Sequence, residues 1–344
     1  MKRLLILSIV AVVVLASLGC LTACPSSTSE KPVIMRHALA YSVKDQFGEA
    51  YTKMANEFTE RTGGKYILEA HCGETLCTVP ESLDAVRTGA VELSLWPVGV
   101  FAMVDPAFAS AELPFMFNNV EANAAACEPL IPIYSSIMEA KYNQKVLNLI
   151  TATSLDLLSK KPVKTMEDWD GMLVQAINPA TAAVAESLGG SAVSISWTDA
   201  YTSLDKGVVD AGMYATNQMV MYHLDEVAKY CLPVYMVPTF LASTINLDVW
   251  NKLPSDIQDL LVEEHLKTAD DLNTLWTQLV YSHPDLLASR GVEIYYLPEA
   301  ERDRWRQAVQ PYTDEQLALM DPGFVSEFMK VVDEANAKFP YVQY

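Results

Sequence analysis

Five short motifs between residues 161 and 211 decide the fold. In chain order they are Lys161-Pro162-Val163, Glu167-Asp168-Trp169-Asp170-Gly171, Leu188-Gly189-Gly190, Thr198-Asp199-Ala200-Tyr201 and Gly207-Val208-Val209-Asp210-Ala211. A helix is predicted between the second and third motifs, because Asn178 is a good N-cap and Pro179 suits the first helical position. Gly189 and Gly207 follow predicted helices, which glycine can end at little cost. The stretch therefore predicts alternating strands and helices.

The same alternation continues on the N-terminal side of this stretch. Hydrophobic periodicity predicts three strands and two intervening helices, in chain order at 33–40, 41–61, 65–70, 80–88 and 91–97. Such alternation is typical of an α/β fold with helices on both faces of a parallel or mixed sheet. In these folds ligands bind outside the carboxyl ends of strands. Those ends fall at Tyr41, His71–Glu74 and Trp96–Pro97.

The C-terminal part is predicted to be mainly helical. Strands at 146–153 and 238–247 flank the central stretch. A long helix is expected from Ser255 to about Pro284, because Ser255 is a suitable N-cap and acidic residues follow near the positive end of the helix dipole. Two further helices are expected at about 298–310 and 314–337.

The N-terminus predicts export. Lys2 and Arg3 precede an almost unbroken apolar run, which is typical of a secretory signal and too short for a stable membrane span. Leu21-Thr22-Ala23-Cys24 fits the lipobox of bacterial lipoproteins. We therefore expect a signal peptide over 1–23, a lipid on Cys24 and a polar tether over 24–31. Lipidation of Cys20 and cleavage without a lipid are the alternatives.

The chain is strongly acidic, with 43 Asp and Glu residues against 24 Lys and Arg and a net charge of −19. This balance argues against a nucleic-acid partner, which needs a basic surface. About 320 residues remain after the signal peptide, more than one hydrophobic core usually contains, so two lobes are expected. Because no Gly/Ser linker follows Lys31, the chain is expected to cross between the lobes more than once.

The cysteine and histidine residues predict no catalytic or metal site. Cys72 and Cys77 lie five residues apart, and an exported protein permits either a disulfide between them or two free thiols. The five His residues form no metal pair such as His-x-x-x-His, and the sequence has neither a Walker loop nor a Gly-x-Ser-x-Gly elbow. We therefore expect no metal, no cofactor and no enzymatic reaction.

The motifs between 161 and 211 resemble, in order and spacing, the second lobe of TRAP-transporter solute-binding proteins of the DctP type. Leu113-Pro114-Phe115-Met116-Phe117 and the segment from Asn246 to Pro254 also resemble that family. The resemblance implies an α/β, two-lobe periplasmic-binding-protein-like fold with a ligand cleft between the lobes and a long bracing C-terminal helix. It further implies lobe I at 32–152, lobe II at 153–240 and a return to lobe I over 241–344.

The resemblance also indicates what this chain lacks. In the acid-binding members an Arg grips the ligand carboxylate, and this chain has Gln175 at that position. A second Arg would fall at Leu155, and an Asn that helps to hold the carboxylate would fall at Tyr214. Arg suits this task because its planar guanidinium binds a carboxylate with two hydrogen bonds. A buried carboxylate without a counter-charge is strongly unfavourable.

Two alternatives follow for the ligand. In one, the ligand is neutral, zwitterionic or weakly anionic and contacts Gln175 and the aromatic faces of Trp96 and Tyr214. In the other, a different cation replaces the Arg, and the candidates are Arg36, His37, Arg87, Lys160 and Lys161. The candidate ligand-binding residues are Gln175, Tyr214, Trp96, Leu155, His37, Glu74 and Asn246.

The resemblance thus implies a periplasmic, extracytoplasmic solute-binding lipoprotein of a TRAP-type transporter, anchored to the membrane by its lipid. Its partners would be a small organic solute and the small and large membrane subunits of a permease. The solute is expected to be an aromatic or apolar-bodied organic acid, or a neutral or zwitterionic compound. A sensor lipoprotein that presents its ligand to a membrane receptor is the alternative, since the same fold would serve it.

Overall fold

The computed structural model describes residues 31–342, without the side chains of Thr153 and Trp197. The predicted signal peptide, Cys24 and all but the last residue of the predicted tether lie outside this range. The strands are β1 Val33–Leu39, β2 Tyr66–His71, β3 Leu93–Pro97, β4 Gln144–Ser159, β5 Leu173–Ala176, β6 Ser191–Ser194, β7 Ala211–Tyr214, β8 Tyr230–Asn246 and β9 Glu293–Ile294. They form one mixed sheet in the order β2-β1-β3-β8-β4-β7-β5-β6, with β9 paired to β8. The predicted α/β class is confirmed.

Helices cover this sheet. They are α1 Gln46–Arg61, α2 Val79–Arg87, α3 Val120–Tyr142, α4 Pro179–Ser187, α5 Ala200–Asp205, α6 Thr216–Met221, α7 Leu247–Trp250, α8 Ser255–Ser289, α9 Glu299–Ala318 and α10 Pro322–Lys338. Short 3-10 segments at Val98–Phe101 and Pro106–Glu112 follow β3. Within residues 31–342 the structure has no helix with the length and apolar character needed to cross a membrane.

The start of α1 is fixed by Asp45. Its backbone is extended, and its side chain accepts a hydrogen bond from the backbone N–H of Phe47 at 2.9 Å. This cap satisfies a donor that the helix cannot satisfy itself. The sequence analysis began this helix at Tyr41, so that prediction was wrong at its N-terminal end. Tyr41 lies instead in the loop between β1 and α1.

Two long antiparallel strands, β4 and β8, form the middle of the sheet and connect its two halves. The C-terminal half of β8 pairs with β3, and the C-terminal end of β4 pairs with β7. The two strands also pair with each other, with register shifts at Val146/Asn148, Thr151/Thr153 and Leu155/Leu157. Both are longer than the sequence predicted. The lobe that contains β1–β3 and the lobe that contains β5–β7 are therefore joined by continuous strands.

The predicted bracing helix is α8. Leu272 and Trp276 pack in the same apolar cluster as Met35 of β1, whereas Leu287 packs with Leu158 of β4 and other residues of the second lobe. The helix continues beyond the predicted end near Pro284, to Ser289. Proline costs a helix one backbone hydrogen bond, and the burial of Pro284 and Leu287 offsets that loss. The helix thus contacts both lobes.

The sequence analysis missed α3 and misplaced the ends of the last two helices. The helix α3 carries prolines at 129 and 132 and buries residues around most of its circumference, so it has no clear amphipathic stripe. Near the C-terminus, α9 continues through Pro311 to Ala318. The last helix begins only at Pro322, because the Asp321 side chain caps it by accepting from the N–H groups of Gly323 and Phe324.

Candidate ligand-binding cleft

A cleft of about 510 Å³ lies between the two lobes. Tyr41 and Pro97 line it from the ends of β1 and β3, and Ile177 and Ala215 line it directly after β5 and β7. The carboxyl ends of strands from both lobes therefore meet at this cleft, as expected for an α/β sheet. The volume falls within the range of about 300–1,000 Å³ that is typical of sites for small molecules.

Three aromatic side chains, Tyr41, Phe47 and Trp276, form one wall of the cleft. The ring centroids of Tyr41 and Phe47 are 4.5 Å apart, and the rings of Phe47 and Trp276 stack at 5.3 Å. Burial raises the pKa of the Tyr41 hydroxyl, so this wall is uncharged. We call these three side chains the aromatic wall. Other apolar residues that line the cleft are Val100, Met103, Leu155, Ile177, Pro179 and Leu241.

A single carboxyl group, that of Glu112, faces the cleft among the described residues that line it, and none of those residues is Lys, Arg or His. The Glu112 carboxyl lies directly over Gly99, at a position where any side chain on residue 99 would collide with it. Asn178 Nδ2 donates to Glu112 Oε2 at 3.0 Å, whereas Oε1 has no hydrogen-bond partner within residues 31–342. Desolvation raises the pKa of Glu112 to about 7.

Amide side chains from the second lobe complete the polar part of the cleft. Asn178 caps α4 through its Oδ1, which accepts from the Thr181 N–H at 2.8 Å, so its Nδ2 is directed to Glu112. Gln218 Oε1 accepts from the backbone N–H of Ala215 at 3.2 Å. Asn217 Oδ1 is buried and has no hydrogen-bond partner among the described residues. Glu112 Oε1 and Asn217 Oδ1 are thus two free acceptors at one cleft.

Gln175 and Tyr214, two of the predicted ligand residues, lie behind this cleft. Gln175 is fully buried, and its Nε2 donates to the backbone carbonyls of Ile195 at 3.2 Å and Ser196 at 2.8 Å. Its Oε1 accepts from the Tyr214 hydroxyl at 2.6 Å. The Tyr214 ring folds over Gly212, which leaves room for it because it has no side chain. Neither residue lines the cleft, so their contact with a solute stays a prediction.

Leu155 is the one predicted ligand residue among the seven that lines the cleft in the described structure. Trp96 is buried in the core of the first lobe, where its Nε1 donates to Thr244 Oγ1 at 3.1 Å. His37 is also buried and stacks on His265 with ring centroids 5.6 Å apart. These two side chains point into the core because alternate residues of a strand face opposite sides of the sheet.

Glu74 and Asn246 have local structural contacts. Glu74 Oε1 accepts from the N–H of Val79, the first residue of α2, at 2.9 Å. Asn246 caps α7, and its Nδ2 donates to the carbonyl of Val86 at 2.8 Å. Neither is among the residues that line the cleft. Their contact with a solute, like that of Trp96 and His37, stays a prediction.

The five candidate substitute cations are engaged elsewhere or buried. Two arginines form ion pairs, Arg36 with Glu92 at 2.9 Å and Arg87 with Asp84 at 2.8 Å. Lys160 donates to the carbonyl of Leu204 at 2.8 Å, and Lys161 lies 3.7 Å from Asp210. His37 is the buried ring described above, and burial holds its pKa well below the usual value. None of the five lines the cleft, so the structure favours a ligand that needs no such cation.

Cys72 and Cys77 are free thiols, and the candidate disulfide between them is not formed. Cys72 packs beside the core of β1 and α1, and its Sγ lies 3.8 Å from Thr52 Oγ1. Cys77 packs in a separate cluster around Val86. Within residues 31–342, no three His, Cys, Asp or Glu side chains converge as a metal site would require.

The sequence analysis missed Glu112 and Asn217. Glu112 directly precedes the Leu-Pro-Phe motif, and its position beside a family motif was the available signal. Its distance from Asn178 along the chain, 66 residues, hid the hydrogen bond between them. Asn217 lies in α6, a short helix that the sequence analysis did not predict.

A two-lobed α/β fold with an interlobe cleft and a helix across both lobes defines a class, the extracytoplasmic solute-binding proteins. The family model described as "Bacterial extracellular solute-binding protein, family 7" (DctP) matches residues 38–318, and the chain belongs to this family. The family serves TRAP-type transport as solute receptors and is not a family of enzymes.

Known proteins agree with this assignment. The chain is 22% identical over 316 residues to the 2,3-diketo-L-gulonate-binding periplasmic protein YiaO of Escherichia coli, covering 90% of this chain and 94% of that protein. It is 20% identical over 302 residues to the C4-dicarboxylate-binding periplasmic protein DctP of Rhodobacter capsulatus, covering 83% of this chain and 86% of the other. A TRAP periplasmic solute-binding protein of Ochrobactrum anthropi has a similar fold, with a TM-score of 0.81, 21% identity and coverage of 90% and 97%.

Proposed function

We propose that this chain is the lipid-anchored, extracytoplasmic solute receptor of a TRAP-type transporter, and that the solute binds in the interlobe cleft. The observation that carries this proposal is the cleft of about 510 Å³, which is lined mainly by apolar side chains and a few amides. Such a lining is typical of small-molecule sites. The lipid on Cys24 and the lobe boundaries at 32–152, 153–240 and 241–344 are parts of the same proposal.

The solute is proposed to have an apolar or aromatic body and to be neutral or zwitterionic rather than a simple dicarboxylate. The relatives include a C4-dicarboxylate-binding protein, and proteins of similar structure include ones with bound galactonate and L-gulonate. A carboxylate in this cleft would meet no Lys or Arg among the described lining residues. Because an unpaired buried charge is costly, a change of ligand class relative to those proteins is supported.

The receptor is proposed to act by closing its two lobes around the solute and then docking on the small and large permease subunits. A solute shifts an open form to a closed form only through its higher affinity for the closed form. The contact of the bracing helix α8 with both lobes supports a closure that keeps the lobes attached throughout.

The test is thermal unfolding of the domain from about Ser26 against a broad panel of solutes. A solute at about 100 times its dissociation constant stabilises the folded state by roughly 2.7 kcal/mol. A shift with at least one solute, accompanied by a smaller radius of gyration in small-angle scattering, is expected. Stabilisation without compaction would contradict lobe closure, and no stabilisation by any member of the panel would contradict the receptor function.

A further inference from the structure

We propose that the cleft selects solutes that carry a protonated amine, with the ammonium group bound by Glu112 and Asn217 and the apolar body against the aromatic wall. This inference rests on the proposed function and names the ligand class of the same cleft.

Two polar atoms of the cleft are acceptors without a partner in the described chain, beside one buried donor, Trp276 Nε1. Glu112 Oε1 has no partner within the described chain, and Asn217 Oδ1 is buried without one. A buried acceptor that lacks a hydrogen bond costs free energy, and a ligand donor recovers it. An ammonium group has three N–H donors and no acceptor, so it can donate to acceptors of this kind.

The charge of the cleft also favours a cationic ligand. Glu112 supplies its one carboxyl, and no described lining residue is Lys, Arg or His. A cationic ligand near Glu112 would favour the ionised carboxylate, whereas a carboxylate ligand there would be repelled. Asn178 Nδ2 donates a hydrogen bond to Glu112 Oε2. This bond fixes the orientation of the carboxyl group and leaves Oε1 available to a ligand. Gly99 leaves the space that this arrangement needs.

The aromatic wall adds a second element of cation recognition. Tyr41, Phe47 and Trp276 line the same cleft as Glu112, with the Tyr41 ring tilted against Phe47 and the Phe47 ring stacked on Trp276. The faces of aromatic rings attract cations, and Trp and Tyr do so more strongly than Phe. The same faces provide apolar area for the carbon skeleton of the solute. A carboxyl group and an aromatic wall in one cleft therefore suit an amine with an apolar body.

The position where acid-binding members are expected to hold a carboxylate is closed in this chain. Gln175 donates to two backbone carbonyls and accepts from Tyr214, so its amide has no free donor for an anion. Tyr214 is buried with it. The anion-binding position is thus closed in the core behind the cleft, whereas Glu112 lines the cleft itself.

Matched pairs of probes with one carbon skeleton test the inference. Benzylamine is compared with benzoate, and butylamine with butyrate, by thermal unfolding and calorimetry of the domain from about Ser26. Benzyltrimethylammonium, which has the charge but no N–H donor, separates hydrogen bonding from the attraction of the aromatic wall. The amines are expected to stabilise the protein, the carboxylates to have no effect, and the trimethylammonium compound to bind more weakly than benzylamine.

Two substitutions locate the site. Glu112→Gln keeps the shape and removes the charge, and is expected to weaken amine binding at least tenfold. Asn217→Leu removes the second acceptor and is expected to weaken it severalfold. Glu186→Gln is the matched control, because Glu186 is an exposed residue of α4 that does not line the cleft. Amine affinity is expected to be unchanged in this control.

The outcomes separate this inference from the proposed function. If the broad panel contains stabilising solutes but only carboxylates among them, the inference is overturned and the receptor function stands. Amine binding that is equal in wild type and Glu112→Gln would overturn the assignment of the site. If no solute of any class stabilises the protein, the receptor function falls and the inference falls with it.

Discussion

The Tyr214 hydroxyl donates a hydrogen bond of 2.6 Å to Gln175 Oε1. These are the two positions where the family resemblance implies an Asn and an Arg for carboxylate binding. In this chain the two side chains satisfy each other inside the second lobe, and the Gln175 amide is completed by two backbone carbonyls. A pair that would hold a ligand in relatives is therefore part of the core here.

Removal of the Tyr214 hydroxyl is expected to lower stability. Tyr214→Phe leaves Gln175 Oε1 with the Ser203 hydroxyl at 3.3 Å as its remaining partner. The loss of a buried hydrogen bond should reduce the free energy of unfolding by about 1–2 kcal/mol. Urea unfolding measures it, with Tyr201→Phe as the control because Tyr201 is exposed. A change below about 0.5 kcal/mol in Tyr214→Phe, as expected for the control, would contradict the role assigned to the bond.

A methyl group at residue 212 is expected to displace the Tyr214 ring. In Gly212→Ala the new Cβ would collide with the Tyr214 ring and hydroxyl. Overpacking of this kind typically costs about 1–3 kcal/mol. In a Tyr214→Leu background the collision is absent, so the cost of Gly212→Ala should fall by at least about 1 kcal/mol in a double-mutant cycle. Additive effects of the two substitutions would be inconsistent with this contact.

Amine affinity is expected to rise with pH. With a Glu112 pKa of about 7, the ionised fraction of the carboxyl increases about tenfold from pH 6 to pH 8, while an aliphatic amine stays protonated. Benzylamine affinity should rise by the same factor. Tyr312 of α9 interacts electrostatically with Glu112. Burial is the main cause that raises the pKa of Tyr312 to about 12, so Tyr312 stays neutral between pH 6 and pH 8. The 3-10 segment Val98–Phe101 carries no titratable side chain.

Calorimetry at several pH values checks this dependence, with Glu112→Gln as the reference. The variant should show a flat profile between pH 6 and pH 8, because it has no carboxyl to ionise at this position. A wild-type affinity that falls as pH rises would reverse the predicted sign and contradict the role of the ionised Glu112.

The buried His265 is expected to make the protein less stable in acid. Burial lowers the pKa of His265 to about 4, and its Nδ1 lies 2.7 Å from the Leu261 carbonyl. Unfolding returns the pKa to about 6.5, so the unfolded chain binds a proton that the folded protein excludes. This contribution is absent above about pH 6.5 and grows as pH falls, to roughly 2 kcal/mol of lost stability at pH 5.

Urea unfolding of wild type and His265→Gln at pH 8 and pH 5 measures this effect together with the response of His37, which stacks on His265 and whose pKa His265 helps to lower. Glu112 and Asp156 have raised pKa values and favour folding as pH falls, but they are present in both proteins and cancel in the comparison. Wild type should lose about 2 kcal/mol more than the variant between the two pH values. An equal loss in both proteins would show that His265 is not the titrating group.

Local signals in the sequence predicted most of the fold. Asn178 with Pro179 predicted the start of α4, and the stripe after Ser255 predicted α8, because caps and periodicity act over a few residues. The helix α3 was missed because it is buried on several sides and lacks an amphipathic stripe. Its position depends on packing with β4, which follows it directly, and with α10, which lies far away in sequence.

The cleft was predicted less well than the fold. Of the predicted strand ends, Tyr41 and Pro97 line the cleft, whereas His71–Glu74 and Trp96 do not. Glu112 was missed because its partner Asn178 comes from the other lobe. Gln175 was identified as the position of a missing Arg. Sequence spacing could not reveal that the Tyr214 ring lies over Gly212 and that its hydroxyl donates to Gln175.

The continuous strands β4 and β8 have a mechanical consequence. Because these strands pass through both lobes, any change in the angle between the lobes must bend the sheet itself. The register shifts at Val146/Asn148, Thr151/Thr153 and Leu155/Leu157 are the points where β-bulges already let a strand bend. The lobe closure proposed above would therefore strain paired backbone at these points, and relief of that strain would favour reopening once the solute has left.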